Sequence, residues 1–201
     1  MVNSQNEIDP GEPMPTPDRT SLDEIVSAGR ELLESEGLAG LTMQAVAIRV
    51  GVRAPSLYKR VRNRAELVSL VAEATARELG ERVDAAAVAA PDAPSRLMVL
   101  ARTFRGFAHD RPAAFGLLFA PGSELAIDAD VLAGSSASML AVAAELSGPD
   151  HALDSARTLT AWAYGFVSME LSGAFRLGGD VERAFEFGVH RLAEALAARP
   201  A

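Results

Sequence analysis

The sequence contains 201 residues, and its composition limits the kinds of protein that it can encode. Hydrophobic residues make up 49% of the chain, which is enough for one or two folded domains with a sizeable core. The sequence contains no cysteine, which excludes disulfides, thiolate metal ligands and cysteine nucleophiles. Its three histidines are too scattered to predict a metal site.

The net charge of −8 is unevenly distributed along the chain. Residues 1–18 carry −4, residues 19–64 carry +3 and residues 65–201 carry −7. We therefore expect a small basic region joined to a larger acidic body. No apolar run approaches the roughly 18 residues of a membrane-spanning helix, and the N-terminus lacks a signal-peptide pattern. A cytoplasmic protein with no membrane partner is expected.

The chain begins with a segment that is not expected to fold. Residues 1–18 contain four prolines and four acidic residues but no basic residue, a composition typical of a disordered arm. The first helix signal follows at Ser21 and Glu24, which form a capping-box pattern that satisfies free N–H groups of a first turn. Gly37 suits a left-handed cap, so the first helix is predicted to end there.

Two short helices are predicted next, on either side of a glycine turn. Thr42 is a good N-cap for a helix that extends to Arg49, and Gly51 breaks that helix. The third helix is predicted to begin near Pro55, whose fixed φ suits the first helical position. Because two short helices around such a turn are typical of a helix-turn-helix, residues 19–64 are predicted to be a DNA-binding domain.

The third helix lies in a cluster of basic residues. Between Arg49 and Arg64 there are six basic side chains and no acidic one. Leu57 and Val61 lie one turn apart and define the inward face of the helix. The opposite face is short, polar and basic, which suits a helix in the major groove of DNA. It carries Pro55, Ser56 and Lys59, with Tyr58 and Arg60 on its flanks.

A solvated basic face on a purely structural helix is the alternative interpretation of this cluster. That alternative has also to explain the glycine turn, the proline at the start of the helix and the missing acidic residues. We therefore favour nucleic-acid binding.

The rest of the chain, residues 65–201, is also predicted to be helical. After Asn63 a long helix is expected over residues 64–82, and further helices are expected near 95–109, 112–119, 124–147, 152–177 and 181–198. Strand-like alternation is absent from the sequence. The predicted fold is all-α, with an N-terminal three-helix helix-turn-helix head and a C-terminal helical domain for effector binding and dimerisation.

The segment LTMQAVAIRVGVRAPSLYKRVRNRAEL, residues 41–67, resembles the DNA-binding signature of the TetR family of bacterial transcriptional regulators. Residues 161–175 resemble, more weakly, the ligand-binding half of one branch of that family. Two departures from the signature, at Arg53 and at the pair Lys59-Arg60, add basic residues and so affect the expected base preference. The matching positions are Leu41, Thr42, Ala47, Gly51, Val52, Ser56, Leu57, Tyr58, Val61, Arg64 and Leu67.

The resemblance implies contacts with DNA for individual residues. Pro55, on the outward face of the third helix, is predicted to lie at the DNA as well. An alternative for Tyr58 is that its ring packs the head while only its hydroxyl faces DNA. A contact with a thymine methyl is implied for Met43. Base contacts are implied for Gln44, Arg53, Ser56 and Lys59. Phosphate contacts that fix the register are implied for Thr42, Tyr58, Arg60 and Arg64.

A helix-turn-helix monomer reads few base pairs, so we expect a homodimer on double-stranded operator DNA with an inverted repeat. The predicted helix 152–177 is apolar on nearly all sides, which requires burial on two sides. With the predicted helix 181–198, it would form a four-helix bundle across a two-fold axis, in which Gly173 and Gly188 lie at the interface. The alternative is that both helices only complete the core of one chain.

The acidic body is also expected to hold a pocket for an unknown small-molecule effector. Glu170 stands out because it is a carboxylate beside an apolar stripe. It is solvated at a dimer edge, paired with an arginine such as Arg105, or directed into a pocket, where it would favour a cationic ligand. The other candidates are apolar, and core packing is the alternative for each: Phe104, Phe107, Phe115, Phe119, Met139, Trp162, Phe166 and Met169.

The sequence therefore favours a dimeric, sequence-specific DNA-binding transcriptional regulator, and the resemblance implies a repressor released by an effector. The chain lacks a Gly-rich phosphate loop, an HExxH motif and a Gly-x-Ser-x-Gly elbow, so it is not expected to be an enzyme, and no cofactor is expected. The alternative is an all-helical interaction or adaptor protein without DNA binding. Salt-dependent duplex binding separates these two functions.

Overall fold

A computed structural model describes residues 20–119 and 125–197 of the chain. The predicted arm, residues 1–18, lies outside the described residues. Within them the chain forms nine α-helices and one short 3-10 helix, and no strand. The predicted all-α fold is therefore confirmed.

The helices are joined by short connections, and the 3-10 helix Pro149–His151 leads into the eighth α-helix. The α-helices are α1 (Leu22–Gly40), α2 (Met43–Arg49), α3 (Ala54–Leu57), α4 (Arg64–Ala87), α5 (Ala93–Asp110), α6 (Pro112–Leu118), α7 (Ala129–Ser147), α8 (Ala152–Leu171) and α9 (Val181–Ala197).

Three of the predicted helix starts have the expected capping side chains. The Ser21 hydroxyl accepts the Glu24 N–H, and the Glu24 carboxylate accepts the Ser21 N–H, which is the capping box of α1. At α2, the hydroxyl of Thr42 accepts the N–H of the third residue that follows it, at 3.1 Å. At α4, the Asn63 side chain does the same at 2.9 Å. These caps confirm the predicted starts of all three helices.

Two predicted helix ends differ from the structure. Gly37 has a φ of 70°, as a left-handed cap requires, but the chain resumes a helical turn and α1 ends at Gly40. Helix α8 ends at Leu171, so its predicted extension to residue 177 is wrong. There Gly173 has a φ of 67°, its N–H donates to the Glu170 carbonyl, and the next N–H donates to the carbonyl of Met169. This paired pattern is a Schellman motif, which terminates a helix.

Buried side chains form two clusters that share helices. The first cluster joins α1, α2 and α3 to the first half of α4 and to α6. We call the described residues up to Asn63, which contain α1, α2 and α3, the head. The second cluster joins the end of α4 to α5, α7, α8 and α9, which we call the body. Helix α6 places Leu117 in the first cluster and Phe115 in the second. Helices α4 and α6 therefore connect the head to the body.

Helices α4 and α7 cross in close contact at Gly80. A Cβ atom added to Gly80 would lie 2.8 Å from the Cα atom of Ser135, closer than two carbon atoms pack. The absence of a side chain at Gly80 therefore allows the two helices to approach each other. The neighbouring Val83 is buried in the body cluster.

Helix α7 is the one helix of residues 20–119 and 125–197 that is long and apolar enough to cross a membrane. It has 19 residues and a mean hydropathy of 1.3. The expectation that no apolar run approaches this length is therefore wrong for α7. A mostly buried core helix of a soluble protein meets the same criterion, but only 17% of the apolar window of α7 is buried. Helix α7 packs against α4, α5 and α8.

Candidate nucleic-acid interface and ligand cavity

A tight turn fixes α3 against α2. Gly51 has a φ of 72°, and the Val52 N–H donates to the Ala47 carbonyl at 2.9 Å. Ala47 is buried, and its small side chain allows the two helices to approach closely. The turn that the sequence places at Gly51 is therefore present, and it holds α3 in a fixed orientation.

The outward face of α3 lies in solvent. The helix continues as a turn beyond Leu57, whose carbonyl accepts the N–H groups of the residues three and four positions on. Leu57 and Val61 are buried, as their one-turn spacing predicts. Tyr58 is 54% exposed, so its ring is not enclosed in the head. The other residues of this face, Pro55, Ser56, Lys59 and Arg60, are exposed too, as is Gln44 on α2.

The basic residues of the cluster differ in how they are engaged. Arg49 is paired with Glu31 of α1 at 2.8 Å. Arg62 is paired with Glu66 at 3.0 Å, and hydrogen bonds from Arg62 lower the pKa of the Glu66 carboxyl. By contrast, the side chains of Arg53 and Lys59 have no hydrogen-bond or ion-pair partner among the residues that the structure describes. Their charges are therefore available to a ligand outside the chain.

Two residues expected at DNA, Met43 and Arg64, also have structural roles. Met43 is only 8% exposed and packs in the head cluster, so its side chain is not on the surface that a thymine methyl would contact. The Arg64 guanidinium donates to the carbonyls of Leu41, at 2.7 Å, and Leu38. Arg64 thereby fastens the start of α4 to the end of α1, and its side chain remains exposed.

Thr42 has both a structural role and an unused donor. Its hydroxyl oxygen accepts the Ala45 N–H as the N-cap of α2. A hydroxyl that accepts one hydrogen bond still has its own hydrogen to donate. The N-cap of α2 can therefore also donate to a phosphate oxygen.

The body contains a cavity of about 750 Å³ between α4, α5, α7 and α8. Three of the predicted ligand-binding residues line it, namely Phe104, Phe119 and Met139. The sequence reasoning missed Tyr164, whose ring lies 4.9 Å from that of Phe119, and Arg157. The other lining residues are Ala76, Leu79, Val83, Leu100, Leu118, Ile127, Leu132, Ala133, Ser135, Ser136, Leu140, Leu153, Ala156, Thr160 and Ala161.

Five other predicted ligand-binding residues do not line this cavity. Phe107 and Phe115 are fully enclosed in the body cluster, although the Phe115 ring supports Phe104 at 5.2 Å. Trp162 and Phe166 pack on Phe185 of α9, with ring centroids 5.3 and 5.2 Å away. Trp162 lines a second, much smaller cavity of about 30 Å³ together with Phe104 and Met139. The fifth, Met169, is 48% exposed on the surface of α8.

Glu170 is engaged by two basic side chains of α5. Arg105 donates to both of its carboxylate oxygens, at 2.8 and 2.6 Å, and the His109 ring lies 3.3 Å from it. Hydrogen bonds from Arg105 and His109 lower the pKa of the Glu170 carboxyl, whereas burial opposes this shift. Of the three alternatives for Glu170, the structure shows the pairing with Arg105. Glu170 does not line the large cavity, so it gives no reason to expect a cationic ligand there.

Exposed apolar side chains gather where α8 ends and α9 passes. They are Met169, Leu171, Phe175, Leu177 and Phe187, and we call this group the apolar patch. Gly188 does not belong to it, because an added Cβ would lie 2.1 Å from the ring of Trp162 in the same chain. Gly173 lies beyond the end of α8. Neither glycine therefore has the place on a helical interface that was expected of it.

A short helix with an exposed basic face, fixed by a glycine turn and joined to a helical body with a cavity, defines a helix-turn-helix regulator. Residues 25–71 match the family described as bacterial regulatory proteins, tetR family. Residues 97–192 match the tetracyclin repressor-like C-terminal domain. The chain belongs to the TetR family of bacterial regulatory proteins, and its head carries that family's helix-turn-helix.

Curated relatives match mainly through the head. The chain is 43% identical over 56 residues to the tetracycline repressor protein class E of Escherichia coli, which covers 28% of this chain and 26% of that protein. It is 33% identical over 97 residues to the HTH-type transcriptional regulator Rv1816 of Mycobacterium tuberculosis, which covers 47% and 42%. The matches span less than half of the length of these relatives.

Solved structures share the fold over most of the chain. A protein of unknown function from Rhodococcus sp. RHA1 has a TM-score of 0.73 at 22% identity, which covers 92% of this chain and 98% of that one. A TetR variant from Acinetobacter baumannii AYE, solved in complex with minocycline, has a TM-score of 0.66 at 22% identity and covers 88% and 96%. These similarities show the common fold.

Proposed function

We propose that the protein is a cytoplasmic, homodimeric repressor that binds an inverted repeat in double-stranded DNA and is released by a small-molecule effector. Residues 19–64 are the DNA-binding domain, and residues 65–201 hold the effector and the dimer interface. The observation that carries the proposal is the exposed outward face of α3, where Arg53 and Lys59 have no partner among the described residues.

The residues on and around α3 suit both parts of DNA recognition. Lys59 and Ser56 lie on the exposed face and supply donors to base edges, while Arg53 enters from the turn. Thr42 and Tyr58 supply hydroxyl groups at the margin of this face, where the sugar–phosphate backbone would run. The internal pairing of Arg49 with Glu31 leaves fewer charges for non-specific binding.

The dimer is supported by the apolar patch at the end of α8 and on α9. Phe187 is 63% exposed and Leu177 is fully exposed. Phe175 and Phe187 border the same surface hollow, and exposed apolar side chains that lie together mark an interaction site. A two-fold dimer would place the same patch of each chain against the other. It would also present two heads to successive half-sites of an inverted repeat.

Control by an effector is supported by the position of the cavity next to both helices that reach the head. Ala76 and Leu79 of α4 line the cavity, and so does Leu118 at the end of α6. At the other end of α6, the Glu34 carboxylate of α1 accepts the first two free N–H groups of the helix, at 3.2 and 2.9 Å. A ligand that shifts α4 or α6 would therefore shift α1. The relative solved with minocycline supports a small organic effector.

The test is binding of the purified chain to duplex DNA that flanks its own gene, followed by footprinting at several salt concentrations. We expect protection of an inverted repeat and an affinity that falls steeply with salt. Lys59→Ala should relax the preference for the repeat by ~1–3 kcal/mol. The matched control is Arg102→Ala on α5, which removes an exposed charge outside both the head and the apolar patch. Salt-independent binding, or none, would favour the adaptor function instead.

A further inference from the structure

We propose that the large cavity takes an amphipathic anion, with an apolar body enclosed between the helices and a carboxylate or similar anionic group at Arg157. This inference rests on the proposed function only in treating the cavity as the effector site. It reverses the cationic preference that Glu170 would have implied.

The described lining of the cavity carries a single charge, which is positive. Arg157 is the only charged side chain among its described lining residues, and none of them is an aspartate or glutamate. The nearby Glu170 is already held by Arg105 and His109. Among the described lining residues, a ligand cation would therefore meet no opposite charge, whereas a ligand anion would meet Arg157.

Arg157 is available for this role. The nearest carboxylate is that of Asp154, one turn earlier on α8, at 3.9 Å, and both side chains are largely exposed. An ion pair at this distance and exposure is worth little. The guanidinium can thus turn from Asp154 to a ligand carboxylate, with which it forms two parallel hydrogen bonds.

One face of α8 forms a graded wall of the cavity. Leu153 and Arg157 lie at its exposed end, and Thr160 and Tyr164 follow at helical spacing toward the buried end. Arg157 and Tyr164 are seven residues apart, or ~10 Å along the helix. The aromatic and aliphatic residues Phe104, Phe119 and Met139 enclose the inner part. The arrangement fits a ligand with its anionic end outermost and an apolar body at least ~10 Å long.

The experiment compares three probes of equal chain length, namely dodecanoate, dodecanol and dodecylammonium, below their micelle concentrations. Trp162 is the single tryptophan and borders the small cavity beside Phe104, so its fluorescence reports binding. We expect dodecanoate to bind about tenfold more tightly than either other probe. Arg157→Ala should weaken dodecanoate about five- to tenfold and leave dodecanol unchanged. Arg157→Glu should invert the order of anion and cation.

Two controls keep the outcome decisive. Arg191→Ala removes an arginine from α9, which does not line the cavity, and should leave all three affinities unchanged. Ala133→Trp fills the exposed α7 side of the cavity and should abolish binding of all three probes. Tightest binding of dodecylammonium by the unaltered protein, an unchanged dodecanoate affinity in Arg157→Ala, or probe binding that survives Ala133→Trp would each overturn the proposal.

Release from DNA is measured separately, which distinguishes this inference from the proposed function. If dodecanoate binds through Arg157 but leaves the protein on its DNA, the ligand class stands and effector release fails. If the protein binds its inverted repeat but shows no preference for the anion, the ligand class fails and the DNA-binding regulator stands.

Discussion

Single residues of the basic cluster, Arg49 to Arg64, have different roles, although the sequence displays them as one group. Arg49 and Arg62 are held by the carboxylates of Glu31 and Glu66. Arg64 donates to two backbone carbonyls near the end of α1. Spacing at 100° per residue predicts which side chains of α3 face outward. It does not reveal partners that lie on other helices, because those partners depend on the fold.

The first prediction concerns Arg64. Arg64→Ala should lower the free energy of unfolding by ~1–3 kcal/mol, because the backbone carbonyls of Leu38 and Leu41 lose a charged hydrogen-bond donor. Lys59→Ala is the control and should change it by less than ~0.5 kcal/mol, as surface substitutions usually do. Urea denaturation of both variants measures these changes. An Arg64→Ala variant as stable as the original, but weaker on every DNA sequence, would return Arg64 to the phosphate contacts.

The second prediction concerns the pH dependence of stability through Glu170. Its folded-state pKa lies below the ordinary value of 4.5, so it stabilises the fold above that value and loses this effect as the pH falls through the folded pKa. Glu170→Gln should therefore lower the free energy of unfolding by ~1–3 kcal/mol at pH 7. The difference should shrink below the ordinary pKa of 4.5. A constant difference across the pH range would show that shape rather than charge matters at this position.

At the scale of helices, local sequence signals predicted where a helix begins better than where it ends. Ser21, Thr42 and Asn63 cap helices as expected because a capping side chain acts within three residues. The end of α8 was missed because Gly173 reads in the sequence like Gly165, which lies inside the same helix. The cavity was only partly predictable, because its wall combines faces of α4, α5, α7 and α8 that are distant in sequence.

The third prediction concerns the contact between α8 and α9. Gly188→Ala should lower the free energy of unfolding by ~1–3 kcal/mol, because its Cβ would overlap the Trp162 ring. Gly165→Ala is the matched control, since an added Cβ there meets nothing within 4 Å. It should stabilise α8 by ~0.5–1 kcal/mol. Thermal unfolding followed by Trp162 fluorescence measures both. A neutral Gly188→Ala would mean that α9 moves away at little cost.

At the scale of the whole molecule, the head and the body depend on each other through α4 and α6. The Glu34 side chain of α1 caps α6, so a contact of the head depends on a helix that also borders the cavity. The apolar patch lies at the other end of the chain, on α8, α9 and the segment between them. The surfaces proposed for DNA binding, ligand binding and dimerisation are therefore separate.

The fourth prediction is that the chain is a dimer at micromolar concentration, held by the apolar patch. Phe187→Glu should shift it toward monomer, because a charge would be buried at the interface. Val88→Glu is the control, since Val88 is even more exposed but lies at the end of α4, outside the patch. Sedimentation velocity distinguishes the species. Dimers of unchanged stability in Phe187→Glu would place the interface elsewhere.

The crossing of α4 and α7 at Gly80 makes α4 a lever. Gly80 is sixteen residues from Arg64, or ~24 Å along the helix, whereas Ala76 on the cavity wall is only ~6 Å from it. A rigid helix that pivots at this crossing moves its first turn about four times as far as Ala76. A ligand that displaces Ala76 by about 1 Å would thus carry the start of α4 by about 4 Å. The helix therefore amplifies a small displacement in the body into a larger one at the head, which would misalign the head on its DNA.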